Sequence, residues 1–538
     1  AAFNGEEFAK LLRQDHPDQE LLARYSAGVN SISEDAQGPN GGRELTPQEK
    51  AYLDAFFGKL TTEDLLKVGQ LEGDAYRETR EAVANGVLAA SASGEPLSQV
   101  KEFVDAKLVT DSESEADARE RAERFNAFGD LMSNATHIPS KEFSTALMDA
   151  SLTAQNEWAG HRHLTGDPPL EGSPQLLSLA ARNDAAAAEY LNDDDHLERL
   201  FNRSRLASWA DDGQAVGELI RSGTLPDARD YTDAEGFKRE ARDNLIAFVS
   251  DNHEAIKDGT YEIPAPAQLA LADVVGHYDY LDNLQADNGG HYPPLSMEGV
   301  FSVLMGGDAE AAGRFRDNVD EFIEQKAGSV FRGDPGTGQL RGEMDLLGRL
   351  SGAVDNVALG VLLEEDKAHD TAMDHKFKTL QTGLGLATAA SGGWGKGAIT
   401  AYSLTGLPEI APDGTAERND ALRRYWLDDR GGSVQLNRIY DAARDTGYNN
   451  LDQTEAAHVI PRAHGNWNLT REQWNVAGVD NLPDRRNALT WALGDVADDF
   501  LNGRRSMIKW GEVSSQFDGQ EEVSAQLTRT AYSRRESQ

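Results

Sequence analysis

The hydrophobic positions that begin near Met344 follow a helical pattern unlike any other stretch of the chain. Five apolar residues alternate at spacings of three and four: Leu347, Leu350, Val354, Val357 and Val361. This spacing places all five side chains on one narrow stripe of an α-helix. A charged patch follows the stripe, and after it comes an uncharged run of small residues that begins at Thr379 and ends at Gly395. We predict a long central helix over residues 344–378, around which the remaining helices pack.

Several other segments carry the start signals of helices. Residues 46–49 (TPQE) form a capping box with proline at the first helical position, and Thr61 precedes the next apolar stripe as a cap. Residues 232–235 (TDAE) form a second box, and Asp308 is expected to begin a helix that extends through Ile323. Alternation with a period of two is hard to find over five or more residues. The pattern predicts an all-α protein, built of helical hairpins packed around the central helix.

Breaks between the helical segments indicate how the chain is divided. Glycine and proline are concentrated at residues 287–294 and 333–338, and 538 residues exceed what one hydrophobic core usually serves. We predict an N-terminal helical region at 1–165, a middle helical region at 166–330 and a C-terminal helical region at 331–538 that contains the central helix and the glycine-rich apolar run. Helix pairs recur without a residue signature, so generic hairpins are favoured over the alternative, a true solenoid.

Acidic residues outnumber basic ones by 91 to 52 and give a formal net charge of −39. Such a surface repels phosphate backbones, so nucleic acid is not an expected partner. Adaptation to high salt is another possible source of this balance. Cysteine is absent, which excludes disulfides, cysteine-based zinc sites and a thiol nucleophile. No run of about 18 strongly apolar residues predicts a transmembrane helix.

The strongest group of potential metal ligands follows the central stripe. It comprises Glu365, His369, Asp370, Asp374 and His375. Glu365 and His369 stand four residues apart on one helix face, a spacing that suits a shared metal ion. However, His375 comes six residues after His369 and lies away from that face. A solvated acidic helix face is therefore favoured, and we predict neither a metal nor another cofactor.

Other motifs that could carry chemistry also have structural interpretations. His161 and His163 lie in a loop-like stretch, where loop polarity is favoured over metal ligation. Residues 333–338 (GDPGTG) are rich in glycine but lack the lysine of a phosphate loop, so we interpret them as a linker. The aspartates at 193–195 and within 227–235 do not match a calcium-binding loop and are interpreted as caps and turns. No residue is predicted to be catalytic.

Two short motifs are of a kind used by substrates of type VII secretion. Residues 158–160 (WAG) spell WxG, and Tyr190 with Asp194 spells YxxxD. Tyr278 with Asp282 also fits the second pattern. Each motif is short enough to arise by chance in a long chain, so neither decides the function.

Longer sequence segments resemble those of a known family. They are LTPQEKAYLDAFFGKLTTEDLLKV (residues 45–68), LLSLAARNDAAAAEYLNDDDHLERLFNRSRLASWADDGQAVGELI (residues 176–220), and the long helix that runs into the glycine-rich segment before Trp426. In order and spacing they resemble the actinobacterial TPR-repeat-region proteins of unknown function, in which a similar helical region usually follows a WXG-type hairpin. The resemblance covers most of residues 45–510. It implies a helical protein associated with type VII export, and it transfers no catalytic residue.

These features favour a non-enzymatic structural or interaction protein of an actinobacterial system, exported by type VII secretion. The expected location is secreted or at the cell surface, with the cytoplasm as the alternative. The expected partner is a protein that the sequence does not identify. Two other functions stay open: a hydrolase with a carboxylate-based site in a helical cleft, and a toxin translocation region.

The run from Thr379 to Gly395 has two interpretations. Its five glycines would each make a long exposed helix less favourable by about 1 kcal/mol relative to alanine. Close packing of helix against helix compensates, because a missing side chain lets two backbones approach. We therefore predict a buried, tightly packed helix and turn. The alternative is a segment that inserts into a membrane or a partner groove, and this membrane contact is not favoured.

Overall fold

The computed structural model describes most of the chain before residue 365 and shorter stretches after it. The described residues are 1–37, 43–92, 96–104, 115–165, 169–202, 209–226, 234–278, 280–282, 295–333, 337–364, 431–446, 493 and 495–515. Within these ranges every regular element is a helix, apart from an isolated bridge between Asn202 and Tyr261. The predicted all-α fold is confirmed.

The helices are numbered here in chain order. They are α1 (Ala2–Leu12), α2 (Gln19–Ala36), α3 (Pro47–Phe57), α4 (Thr62–Gly69), α5 (Arg77–Ala90), α6 (Lys101–Val104), α7 (Glu115–Ser133), α8 (Lys141–Thr165), α9 (Gly172–Ala181), α10 (Asp184–Leu191), α11 (Asp194–Phe201), α12 (Gln214–Thr224), α13 (Ala234–Asp251), α14 (His253–Lys257), α15 (Ala265–Val275), α16 (Leu295–Gly306), α17 (Ala309–Arg332), α18 (Thr337–Glu364), α19 (Gly431–Asp445) and α20 (Asp495–Ser515). A 3₁₀ turn, Asp74–Tyr76, precedes α5. None of the described helices is long and apolar enough to cross a membrane.

Local hydrogen bonds begin several helices where the sequence predicts. The amide of Glu49 donates to Thr46 Oγ1 at 3.3 Å, and the amide of Thr46 donates to Glu49 Oε2 at 2.7 Å, which completes the predicted capping box of α3. Thr61 and Asp64 form the same reciprocal pair at α4. The Asp308 carboxylate accepts from two amides at the start of α17. Each bond satisfies an amide that the helix itself leaves without an acceptor.

The chain divides into two compact units, Ala1–Val274 and Val275–Gln538. The sequence instead predicts boundaries after residues 165 and 330. The first position directly follows α8, which packs on α9, and the second lies inside α17 (Ala309–Arg332). The observed division lies shortly before residues 287–294, the glycine- and proline-rich break noted in the sequence.

In the first unit, the main contacts of each helix are with helices close to it along the chain. α2 packs on α5, α4 on α7, α7 on α9, α9 on α12, and α10 on α12 and α13. Contacts of this kind let successive helices share a core that continues from one layer to the next. Large side chains fill it, among them Phe8, Phe56, Phe57, Phe128 and Phe201.

Glycine lets some of these helices touch backbone to backbone. A Cβ atom added to Gly172 of α9 would lie 2.6 Å from the carbonyl oxygen of Phe125 in α7. One added to Gly5 of α1 would lie 2.4 Å from the carbonyl oxygen of Phe56 in α3. Any larger residue would push these helices apart, so the glycines set the helix separation.

The second unit contains the predicted central helix, α18. It begins at Thr337 rather than Met344 and packs on α16, α17 and α20. Leu347, Leu350 and Val354 are buried, as the spacing predicts, whereas Val357 is only half-buried. The side chain of Val361 and residues 365–378 of the predicted helix lie outside the described part of the chain.

Among the described helices of this unit, α18 and α20 make the closest contact. A Cβ atom on Gly348 would lie 2.0 Å from the carbonyl oxygen of Phe500, and one on Gly503 would lie 2.1 Å from the carbonyl oxygen of Asp345. Gly352, one turn after Gly348, makes a similar contact with α20. Two helices far apart in the sequence therefore cross with their backbones in contact.

Candidate functional site

Most of the metal-ligand candidates lie where the structure gives no description. Glu365, His369, Asp370, Asp374 and His375 lie outside the described residues, as do residues 227–233. In the ranges that the structure does describe, no group of three or more His, Asp or Glu side chains is arranged to hold a metal ion.

The two motifs around residue 160 lie inside a helix. His161 and His163 belong to α8, so the prediction of a loop at this place is wrong. The helix continues through both residues to Thr165, ahead of the Pro168–Pro169 pair in the sequence. The WxG residues, 158–160, also lie within α8, where Trp158 is buried. The motif therefore does not occupy a turn between two helices.

Tyr278 and Asp282, the second YxxxD pair, dock together on α17. The rings of Tyr278 and Phe322 have centroids 5.1 Å apart, and the Asp282 carboxylate forms an ion pair with Lys326. Phe322 and Lys326 stand four residues apart and share one face of α17, so both contacts fall on that face. The pair joins this segment to α17.

The capping interpretation of residues 193–195 is confirmed. The Asp193 carboxylate accepts from the amides of Asp195 at 2.9 Å and His196 at 3.2 Å, which begins α11. At the other predicted linker, Gly333 ends α17 and Thr337 begins α18. Residues 334–336 between them are outside the described ranges.

A cluster that the sequence does not reveal is centred on Asp149 of α8. Its Oδ1 atom accepts a hydrogen bond from Tyr190 Oη of α10 at 3.1 Å. The same oxygen lies 3.4 Å from Arg199 Nη1 and 3.8 Å from His196 Nε2, both on α11. Arg199 also donates through Nη2 to Thr153 Oγ1 at 3.0 Å. One carboxylate oxygen of α8 thus contacts two other helices.

The ring of His196 is held in a fixed orientation. It stacks on the ring of Tyr190, with centroids 3.9 Å apart and an interplanar angle of 4°. Its Nδ1 atom lies 3.2 Å from the backbone carbonyl oxygen of Tyr190. A carbonyl oxygen can only accept, so Nδ1 carries the proton of this bond. The remaining ring nitrogen, Nε2, faces Asp149.

Tyr190 is the buried member of the cluster. Burial, and next the negative charge of Asp149, raise the pKa of the Tyr190 hydroxyl above its ordinary value. The phenol therefore stays protonated and acts as a hydrogen-bond donor. It is neither a nucleophile nor a general base near neutral pH.

Sequence reasoning named Tyr190 and Asp193 but missed Asp149, His196 and Arg199. One available signal was spacing, because His196 and Arg199 stand three residues apart on one face of α11. Nothing local to α11 indicates that its partner is Asp149, which belongs to another helix and precedes Tyr190 by 41 residues.

The second unit has a comparable cluster in its core. Arg504 of α20 donates from Nη2 to Asp355 Oδ2 of α18 at 2.7 Å, and Arg316 of α17 donates from Nη2 to Asp355 Oδ1 at 2.7 Å. Both Asp355 and Arg504 are about 1% exposed. Here, too, one carboxylate joins three helices.

The two clusters differ in their contact with solvent. The Asp149 and His196 side chains are 45% and 23% exposed, so water and solutes reach them, whereas Asp355 is enclosed. The Asp149 cluster can therefore exchange protons with solvent or meet a ligand, and we take it as the candidate functional site. A comparison with protein-family models, curated proteins and solved structures finds no match for this chain.

Proposed function

We propose that this protein is a non-enzymatic structural or interaction protein. The observation that carries the proposal is how Asp149 and Asp355 are used. Each carboxylate accepts donors from two other helices, and such an arrangement holds helices in position. Both oxygens of Asp355 accept from arginines, so Asp355 could act as a general base only by releasing one of them.

The charge distribution supports a protein partner rather than nucleic acid. Many basic side chains form ion pairs between helices or with the segments next to them. Examples are the pairs Arg13–Asp64, Arg124–Glu102 and Lys238–Asp184. Because acidic residues are in excess by 91 to 52, carboxylates are left over at the surface. Such a surface is complementary to a basic patch on a partner protein.

The resemblance of residues 45–68 and 176–220 to actinobacterial TPR-repeat-region proteins extends this proposal. It supports a protein that is exported by type VII secretion and that acts outside the cell or at the cell surface. Residues 379–395, on which membrane contact or a translocation role would depend, lie outside the described part of the chain, and that role stays a prediction.

Fractionation of the native host tests the export part of the proposal. An epitope-tagged full chain would be expressed with and without an active type VII secretion ATPase, and a cytoplasmic enzyme would control for lysis. We expect the tagged chain in the culture filtrate or cell-wall fraction only when the ATPase is active. Retention in the cytoplasm of both strains would contradict export.

A hydrolase is the second candidate, and one observation favours it. Asp149 is half-exposed and lies beside an imidazole, His196, a pairing that general acid–base chemistry uses. Ester, phosphate, glycoside and peptide substrates would be offered to the full chain and to Asp149→Asn. We expect no turnover by either protein. The hydrolase would be established if the unaltered chain turned over a substrate and Asp149→Asn did not, provided that the variant kept its helical circular dichroism.

A further inference from the structure

The His196 ring presents a single nitrogen to Asp149. Stacking on Tyr190 fixes the plane of the ring, and the bond from Nδ1–H to the Tyr190 carbonyl fixes its rotation. In this orientation Nε2 lies 3.8 Å from Asp149 Oδ1. Only the presence or absence of a proton on Nε2 changes the character of this contact.

We infer that the contact between His196 and Asp149 is a pH-sensitive latch, which tightens α11 against α8 when Nε2 takes up a proton. In the neutral ring, Nε2 turns a lone pair toward a carboxylate and has no hydrogen to donate. In the protonated ring, it becomes a charged donor directed at that carboxylate. Histidine ordinarily changes its charge between pH 5 and 8. The inference does not depend on the proposed function.

The groups around His196 determine the size of the effect. Asp149 of α8 lies 3.8 Å from Nε2, and Arg199 of α11 lies 3.4 Å from the same Asp149 oxygen. Asp193, the cap of α11, accepts from the backbone amide of His196. The Tyr190 phenol of α10 is uncharged. α13 also packs on α11, and among the described contacts it places no ion-pairing group on His196. Because both members of the latch are partly exposed, we expect the modest strength of a partly exposed ion pair.

Hydrogen–deuterium exchange of the full chain at pH 5.5 and pH 8.0 tests the latch. Rates would be corrected for the intrinsic pH dependence of amide exchange and referred to the amides of α12, a helix of the same unit that contains no histidine. We expect α11 amides to exchange about two- to fivefold more slowly at pH 5.5 than at pH 8.0, because a closed ion pair lowers the population of the opened helix. Equal corrected rates at the two pH values would overturn the inference.

Three variants identify the group responsible. His196→Gln and Asp149→Asn each remove one member of the latch. In each variant the corrected α11 exchange rates at pH 5.5 and pH 8.0 should therefore be equal, whatever the effect on the absolute rates. His253→Gln is the matched control. His253 has Nδ1 at 2.7 Å from the Ser250 carbonyl and Nε2 at 3.3 Å from Glu254, its neighbour in α14. Its pair joins no second helix, so the response of α11 should persist. Slowing that survives in His196→Gln would assign the response to another group and overturn the inference.

Discussion

Asp355 and Arg504 form a buried ion pair across 149 positions of sequence, with Arg504 Nη2 2.7 Å from Asp355 Oδ2. The pair links α18, the central helix of the second unit, to α20. Removing two charges from water is costly, and their attraction offsets that cost only while both partners are present. The pair therefore makes the docking of α20 specific, since a helix without an arginine at this position would leave Asp355 with only Arg316.

We predict that Asp355→Ala lowers the free energy of unfolding of the second unit by about 3–5 kcal/mol, because it leaves Arg504 buried without its carboxylate. Calorimetry of the full chain would measure the loss as a shift of one thermal transition. Arg349→Ala is the control on the same helix. Arg349 Nε lies 2.8 Å from Asp345 Oδ2, and both side chains are partly exposed. Such pairs contribute below about 1 kcal/mol to the free energy of unfolding. Equal losses in the two variants would contradict the prediction.

Two glycines of α18 are predicted to respond in opposite directions to alanine. Gly348→Ala should destabilise the second unit by about 1–3 kcal/mol, because the new Cβ would lie 2.0 Å from the Phe500 carbonyl oxygen. Gly342→Ala should stabilise it by about 0.5–1 kcal/mol, because nothing lies within 4 Å and alanine favours the helix. Denaturation midpoints of the two variants would check the pair. A loss of stability in both would indicate that α18 is enclosed differently.

Local signals in the sequence were sufficient for the helices but not for their pairing. The capping box at residues 46–49 and the cap at Asp308 depend on residues within one turn, so the sequence predicts them correctly. The stripe through Leu347, Leu350 and Val354 indicates which face is buried. It does not indicate what covers that face, because any apolar or small-residue face would satisfy the same pattern.

Glycine lies where two described helices of the second unit come closest. The sequence draws attention to residues 379–395, where glycines are dense, and that run lies outside the described residues. The glycine contact that the structure describes uses Gly348 and Gly503, which are single positions in ordinary amphipathic helices. The spacing of Gly348 and Gly352 by four residues was the available signal for a close helix contact, since it places both on one face.

The candidate site was harder to predict than the fold. Asp149 has many equivalents among the 91 acidic residues, and its role depends on the arrival of α10 and α11 from later in the chain. The caps around Asp193 could be predicted because they involve neighbours in sequence. The contact from Asp149 to His196 depends on how three helices pack, which periodicity does not encode.

Asn85 of α5 is predicted to stabilise the first unit through three hydrogen bonds. Its Oδ1 accepts from the amides of Thr136 at 3.0 Å and His137 at 3.1 Å, and its Nδ2 donates to Thr136 Oγ1 at 3.0 Å. Asn85→Ala leaves the buried amide of His137 without this acceptor, at a cost of about 1–3 kcal/mol. Asn30→Ala is the control, since Asn30 bonds to Glu34 at an exposed position of α2, and we expect a change within about 0.5 kcal/mol. Urea unfolding would compare them, and similar midpoints would contradict the prediction.

His137 gives the first unit a predictable dependence on pH. Burial lowers the pKa of His137 below its ordinary value of 6.5, although the charges of Glu34 and Glu81 oppose the shift. The folded protein therefore keeps this ring neutral at a pH where the unfolded chain already binds a proton. The unfolded state then holds more protons than the folded state. The contribution of His137 to the free energy of unfolding is therefore fully present above pH 6.5. That contribution falls as the pH drops toward the folded pKa.

The variant His137→Gln cannot titrate and isolates this effect. We expect the stability of the wild-type chain relative to His137→Gln to decline between pH 7.5 and pH 5.5, and to stay constant between pH 7.5 and pH 8.5, where the ring is neutral in both states. Free energies of unfolding in urea at the three pH values would measure the difference. A relative stability that rises on acidification would mean that His137 is protonated in the folded protein, with Glu34 and Glu81 outweighing the effect of burial.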